Sequence, residues 1–121
     1  MSESDRAIVT KPYAAQYPDP IEFEAGALLK VEREDTEYPG WWWCRAPSGK
    51  EGWVHSSFID RVGQNATGTA AYSAKELSVT AGDDGYIIRW LDGWAFIRLE
   101  SGVQGWIPQS HVRRCAPLTT R

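Results

Sequence analysis

The sequence predicts an all-β protein built from two similar small units, and three observations carry this prediction. Short apolar segments alternate with glycine turns at a spacing of about 8–12 residues, as in sandwiches and barrels. No long amphipathic helical pattern occurs in the 121 residues. A block rich in glycine and tryptophan at 40–54 returns in the same order at 93–107, and the segment 13–15 returns at 72–74. Two copies of one unit, differing by short loop deletions, account for this repeat.

The first copy is predicted to consist of short strands joined by irregular loops. Three prolines within 12–20 exclude a regular helix and a central strand there. Proline, serine and glycine at 47–50 indicate a hairpin turn. The predicted elements are a strand at 7–9, the loop 12–20, a strand at 21–23, a turn at 24–26, a strand at 28–31, a loop at 32–40, a strand at 41–46, the turn 47–50, a strand at 52–54, a helical turn at 55–58 and a strand at 59–62.

The second copy follows a short linker at 63–68 and repeats these elements with shorter loops. The predicted domains therefore span 7–62 and 67–113, and the ends 1–6 and 114–121 are predicted to be flexible. The second-copy strands are predicted at 69–74, 77–79, 86–90, 94–99 and 105–107, with a last one at 112.

Charge is distributed unevenly along the chain. The formal net charge is −3, with the acid excess in residues 1–62. Neither half carries the basic surface that follows phosphates, so nucleic acid is not expected as a partner. A ligand that charge steers to the first copy is expected to be basic.

The apolar runs and the polar start of the chain bear on its location. Residues 1–6 are polar, unlike a signal peptide. No run approaches the ~20 apolar residues of a membrane span. We therefore expect a cytoplasmic protein that does not contact a membrane.

The cysteines and histidines form no recognisable catalytic or metal-binding pattern. Cys44 lies in an aromatic strand, where a thiol behaves as a small buried hydrophobe. An enzyme using Cys44 with His55 or His111 as a nucleophile–base pair is one alternative, but the spacing does not support it. The spacing of the two cysteines and two histidines fits no zinc motif; these residues are Cys44, His55, His111 and Cys115. We expect no catalytic residue, no cofactor and no metal.

The repeat also allows the faces of the aromatic strand to be compared between copies. Residues alternate faces along a strand. Trp42 and Cys44 share a face with counterparts at 95 and 97, all apolar but varied in size, as expected of a core. On the other face, Trp41 is matched by Trp94. These two tryptophans are predicted to be exposed and to contact a ligand.

Taken together, the residues resemble the SH3 domain. The resemblance rests on an aromatic-Ala segment, an apolar-x-apolar-x-x-Gly segment, Gly-Trp, a glycine turn and Gly-Trp-aliphatic, in that order, over roughly 8–62 and 67–113. It is closest to the bacterial variant SH3 domains that occur in pairs. It implies two five-stranded, partly open β-barrels in tandem. We expect a monomer whose two domains contact each other. In this reading 13–21 is the RT loop and 32–40 the n-Src loop.

The resemblance also implies a function and a site. SH3 domains are non-catalytic modules that bind extended, often proline-rich peptides across an aromatic ridge, because a polyproline II helix is already ordered before it binds. The expected partner is a protein or peptide that is proline-rich or basic. The implied ligand-binding residues are Tyr13, Tyr17, Asp19, Glu37, Trp41, His55 and Phe58 in the first copy, and Tyr72, Glu76, Trp94, Pro108 and His111 in the second.

Two further alternatives remain open at this point. Aromatic ridges also stack on sugars, so the modules are compatible with binding of a cell-wall polysaccharide such as peptidoglycan. The two copies are also compatible with a structural role in which their grooves are buried against each other.

Overall fold

The computed structural model of the chain describes residues 6–115, which form β-strands, two short 3-10 helices and turns. Within these residues no helix is long and apolar enough to cross a membrane. The strands are β1 (Arg6–Val9), β2 (Glu22–Phe23), β3 (Leu28–Glu34), β4 (Trp41–Arg45), β5 (Glu51–His55), β6 (Ile59–Val62), β7 (Asn65–Gly68), β8 (Tyr72–Ser73), β9 (Asp84–Leu91), β10 (Trp94–Leu99), β11 (Gln104–Pro108) and β12 (Val112–Arg114).

Two five-stranded sheets contain most of these strands, and a two-stranded ribbon joins β2 to β8. One sheet has the order β11-β10-β9-β1-β12, and the other has the order β5-β4-β3-β7-β6. The predicted fold class, all-β with two SH3-like five-stranded barrels, is confirmed. Arg6 and Arg114 lie in strands, although both were predicted to belong to flexible ends. The remaining predicted flexible residues, apart from Cys115, lie outside the described residues.

The first strand of each repeat lies in the sheet of the other repeat. β1 pairs with β9 and β12, which come from the second repeat. In return β7, which falls in the predicted linker, pairs with β3 and β6 of the first repeat. The compact units are therefore a split unit, described over 6–16 and 76–115, and a central unit at 17–75. This division differs from the contiguous domains 7–62 and 67–113.

A tight hairpin explains the exchange. β6 and β7 pair from Ile59↔Gly68 to Val62↔Asn65, which leaves two residues in the turn. Gly63 is the first of them and has φ +62, the conformation that a type II′ hairpin requires at that position. Such a short connection places β7 directly beside β6, because hairpin strands are neighbours along the chain. β7 thus occupies the position beside β6 that β1 would otherwise take.

Each unit has a core of alternating strand residues. In the split unit the buried cluster combines β1 with strands of the second repeat, which shows that the first strand is part of this core. The predicted core face is confirmed at Cys44, Ala95 and Ile97, which are fully buried. Its fourth member, Trp42, is only half-buried. The split-unit cluster consists of Ala7, Val9, Leu77, Val79, Ile87, Ala95, Ile97, Ile107 and Val112.

Candidate functional site

The exchange of first strands also exchanges the groove tyrosines. The sequence grouped Tyr13 with Trp41, but the structure places Tyr13 in the split unit, beside Trp94 and His111. Tyr72 was grouped with Trp94 and instead lies in the central unit. Its ring is 4.7 Å from the ring of Phe58, centroid to centroid. Each aromatic set therefore combines residues from both repeats, so the two predicted groupings are corrected.

The split-unit groove consists of Tyr13, Trp94, Pro108 and His111. The Tyr13 ring stands edge-on to the Trp94 ring at 6.0 Å and to the His111 ring at 5.6 Å. These distances are in the range of favourable aromatic pairs. Pro108 is buried and lies opposite Trp94 in the β10–β11 ladder. The three ring-bearing residues Tyr13, Trp94 and His111 are half-buried, so the groove presents ring surface to solvent.

A two-residue turn precedes Trp94 and fixes the start of β10. Asp92 and Gly93 both have positive φ, 35 and 95, as a type I′ hairpin requires. The Gly93 backbone N–H donates to Oε1 of Gln109 at 3.0 Å, and the Gln109 N–H donates back to the Gly93 carbonyl at 2.8 Å. The loop that precedes Trp94 is therefore short, and the two hydrogen bonds between Gly93 and Gln109 restrain it and hold Trp94 in place.

Glu76, predicted to contact a ligand, is instead engaged within the protein. It is 9% exposed. Its Oε1 accepts a hydrogen bond from the Tyr13 hydroxyl at 2.8 Å and another from the Gln16 backbone N–H at 2.9 Å. A tyrosine hydroxyl has one proton to donate. With that proton directed at Glu76, Tyr13 offers a ligand its ring and the acceptor side of its oxygen.

The central-unit tryptophan is not exposed, contrary to the prediction. Trp41 is 4% exposed and its ring lies 5.1 Å from that of His55, which is itself buried. Nδ1 of His55 accepts from the Ser57 backbone N–H at 3.1 Å and so caps the following 3-10 helix. Tyr72 is also buried, and its hydroxyl donates to the Trp53 carbonyl at 2.7 Å. These predicted ligand contacts serve the packing of the unit.

The acidic residues predicted to attract a basic ligand lie in the central unit. The Asp19 carboxylate is largely exposed and pairs with Nζ of Lys50 at 3.2 Å. This hydrogen bond and charge raise the pKa of Lys50, with Glu22 adding to the effect. Glu37 is exposed in the loop after β3, where its backbone N–H bonds the Asp35 carboxylate. Asp19 already has a cation from its own chain, so it is a weaker attractant for a ligand than its charge suggests.

An aromatic cluster on the β4–β5 hairpin was not identified from the sequence as a unit. Trp43 and Trp53 face each other across the hairpin with ring centroids 5.1 Å apart. The Arg33 guanidinium lies over both rings, at 5.4 and 5.3 Å. Tyr17, a predicted ligand residue, contacts this cluster at 5.6 Å from Trp43. The predicted turn at 47–50 would place position 43 opposite 54. The observed loop has five residues, 46–50, and this shift by one places Trp43 opposite Trp53.

Burial makes Cys44 a poor nucleophile. Loss of solvation, with a smaller contribution from Glu32, raises the pKa of its thiol from 9.0 to about 12. The thiolate is the reactive form of cysteine. Both cysteines are free. Within residues 6–115 there is also no cluster of three or more His, Cys, Asp or Glu side chains that is placed to hold a metal ion.

We expect the two thiols to differ strongly in reactivity toward Ellman's reagent at pH 8. A pKa of about 12 leaves about a thousandfold less thiolate on Cys44 than its ordinary value would. One thiol, that of Cys115, is expected to react in the native protein, and the second only after unfolding. Cys115→Ser is the control and is expected to remove the fast phase. Two fast thiols in the native chain would contradict the burial of Cys44.

Comparison with known proteins identifies the class of domain. A model of the variant SH3 domain matches residues 6–62. Over 61 residues, 50% of this chain, the sequence is 37% identical to SH3 and PX domain-containing protein 2A of Mus musculus and of Homo sapiens. Over 59 residues it is 36% identical to SH3 and PX domain-containing protein 2B of Mus musculus. The aligned segments cover 5% and 6% of those relatives, so the chain matches only a small part of their length.

A variant SH3 domain sequence is therefore present at 6–62, as the resemblance predicted. SH3 domains are non-catalytic interaction modules that bind proteins or peptides, and the similarity indicates a protein-interaction module here. The matched sequence does not coincide with one compact unit. Its first strand and Tyr13 belong to the split unit, while the rest of it, from Tyr17 onward, belongs to the central unit.

Proposed function

We propose that the chain is a non-catalytic interaction module that binds an extended, proline-rich segment of a partner protein in the split-unit groove. The observation that carries the proposal is the difference between the two groove tryptophans. Trp94 is half-buried and has Tyr13 beside it, whereas Trp41 is 4% exposed. A ligand that stacks on an indole needs an accessible ring, which favours Trp94 over Trp41.

The chemistry of the groove supports an uncharged ligand. A polyproline II segment loses little conformational entropy on binding and packs its rings between aromatic faces. The four groove residues carry no carboxylate, and the nearby Glu76 already accepts two hydrogen bonds from the protein. A basic residue in the ligand is therefore not required at this groove. The sequence predicted a ligand that is proline-rich or basic. The lack of a free carboxylate among the groove residues favours the proline-rich ligand.

Trp94→Ala is expected to weaken binding of a proline-rich peptide while leaving the fold intact. Truncating a central aromatic anchor typically costs about 2 kcal/mol, or roughly a 30-fold rise in Kd. The peptide is chosen from an array of extended proline-rich sequences, and its Kd is measured by isothermal titration calorimetry.

The matched control is Ile88→Ala, which removes an exposed apolar side chain from β9 of the same unit. This variant is expected to bind like the parent chain. If Trp94→Ala keeps the circular dichroism spectrum and the affinity of the parent, the ligand does not use this groove and the proposal is rejected.

A further inference from the structure

The two equivalent tyrosines are held in different ways, although the repeat predicts the same role for both. The Tyr72 hydroxyl donates to the Trp53 carbonyl at 2.7 Å, and the residue is 7% exposed. The Tyr13 hydroxyl donates to the Glu76 carboxylate at 2.8 Å, and the residue is half-buried. A backbone acceptor thus accompanies the buried tyrosine, and a side-chain acceptor accompanies the tyrosine in the open groove.

Glu76 is anchored to the second repeat, while its two donors come from the first. It forms an isolated bridge with Trp106, and the next residue, Leu77, donates its backbone N–H to the Trp106 carbonyl at 3.1 Å. The carboxylate accepts from the Tyr13 hydroxyl and the Gln16 N–H through one oxygen. Charged acceptors form stronger hydrogen bonds than neutral ones. The Tyr13 backbone is already paired with Val79 through two hydrogen bonds, of 3.0 and 2.8 Å. Glu76 adds a bond to the side-chain end of Tyr13 and one to the Gln16 backbone.

The central unit provides an internal comparison. Ile21 corresponds to Leu77 in the repeat, so Pro20 stands where the split unit has Glu76. A proline side chain cannot accept a hydrogen bond. In that unit the tyrosine hydroxyl bonds the backbone instead and its ring is buried. The side-chain acceptor and the half-buried tyrosine ring thus occur together in the split unit.

We infer that Glu76 is a positioning residue, which holds the Tyr13 ring against Trp94 and His111 and so keeps the split-unit groove ready for a ligand. This inference rests on the proposed function of the groove. It assigns to Glu76 a role different from the direct ligand contact that the sequence predicted. A ring held in place before binding loses less conformational freedom when the ligand arrives.

The first test needs no ligand. In the full chain, the NMR cross-relaxation signals from the Tyr13 ring to the Trp94 and His111 rings are measured. Glu76→Ala is expected to weaken both signals, because the Tyr13 ring loses the acceptor of its hydroxyl while its backbone stays paired with Val79. Glu76→Gln is expected to retain them, because an amide oxygen can still accept from the hydroxyl and from the Gln16 N–H. Tyr13→Phe removes only the hydroxyl and is expected to weaken both signals.

The second measurement is the Kd of the array-selected proline-rich peptide. Glu76→Ala is expected to raise it about tenfold, and Glu76→Gln to leave it near the parent value. In a Tyr13→Phe background, Glu76→Ala is expected to add little, since the positioned hydroxyl is already absent. A merely structural role would lower stability equally in both backgrounds without this coupling.

Retention of both ring signals at the parent intensity in Glu76→Ala overturns the inference. If Glu76→Ala fails to fold, the Tyr13→Phe variant is used for the test. Unchanged ring signals in Tyr13→Phe would also overturn the inference. Failure of the proposed function is seen separately, as an unchanged peptide affinity in Trp94→Ala. An unchanged affinity in Trp94→Ala would reject the proposed function, but it would not change the ring signals, which test the role of Glu76 without a ligand.

Discussion

A full-length chain carrying Ile8→Cys and Arg113→Cys is expected to form an intramolecular disulfide under mild oxidation. The two positions are direct partners in the β1–β12 ladder. Paired antiparallel residues have Cα atoms about 4.5–5.5 Å apart, within the range that a disulfide spans. The bridge closes a loop of about 100 residues, which by the chain-entropy model stabilises the fold by roughly 4–5 kcal/mol. Mass spectrometry identifies the bridge, and urea denaturation measures the gain in stability.

The matched control places the second cysteine where a contiguous first domain would need it. Asp60 pairs with Thr67 in the β6–β7 ladder. Ile8 is the residue of the first repeat that corresponds to Thr67. In a barrel formed from 7–62 alone, Ile8 would therefore lie opposite Asp60. Ile8→Cys with Asp60→Cys is therefore expected to remain reduced in the monomer. Both variants carry Cys115→Ser to prevent disulfide shuffling. Efficient bridging of 8 to 60, with none of 8 to 113, would show that the first strand returns to its own repeat.

Gly85→Ala is expected to destabilise the split unit severely. Gly85 lies in β9 between β1 and β10, opposite Ala7 and Leu99. A Cβ at this position would overlap the carbonyl oxygen of Arg98 and lie 2.7 Å from Cα of Leu99. Both obstacles are backbone, so relief requires the strands to separate. We expect a loss of roughly 3 kcal/mol or more in the free energy of unfolding, measured by urea denaturation.

Gly102→Ala is the comparison for this substitution within the same unit. A Cβ there meets nothing within 4 Å, and its cost comes from the positive φ of 99 alone. That strain is about 1–2 kcal/mol for an ordinary residue. A loss in Gly85→Ala no larger than that in Gly102→Ala would contradict the close approach of β9 and β10.

The burial of Trp41 is a feature of the site that the sequence could not predict. Trp41 and Trp94 occupy equivalent positions at the start of equivalent strands, so their sequence context predicts the same exposure. The structure leaves Trp94 half-buried and Trp41 nearly inaccessible. Exposure depends on all the atoms that approach a side chain, and most of those belong to residues far away in the sequence. The repeat alone therefore could not rank the two grooves.

The hydrogen-bond partners of the predicted site residues could not be predicted from the sequence either. Glu76 and Asp19 were both assigned to ligand binding on their charge and loop position, yet one is bonded to Tyr13 and the other to Lys50. The partners lie 63 residues away in the first case. Spacing patterns within one element cannot predict such a pair, because it depends on how separate segments meet.

The sequence by itself determined most of the strands and turns, the core face of the second aromatic strand and the presence of two SH3-like barrels. These follow from local properties, namely alternation along a strand, glycine at positive φ and the recurrence of one pattern. Only the tertiary structure decided which first strand completes which barrel. The choice follows from geometry. A two-residue turn that begins at Gly63 places β7 beside β6, and β1 pairs with strands of the second repeat.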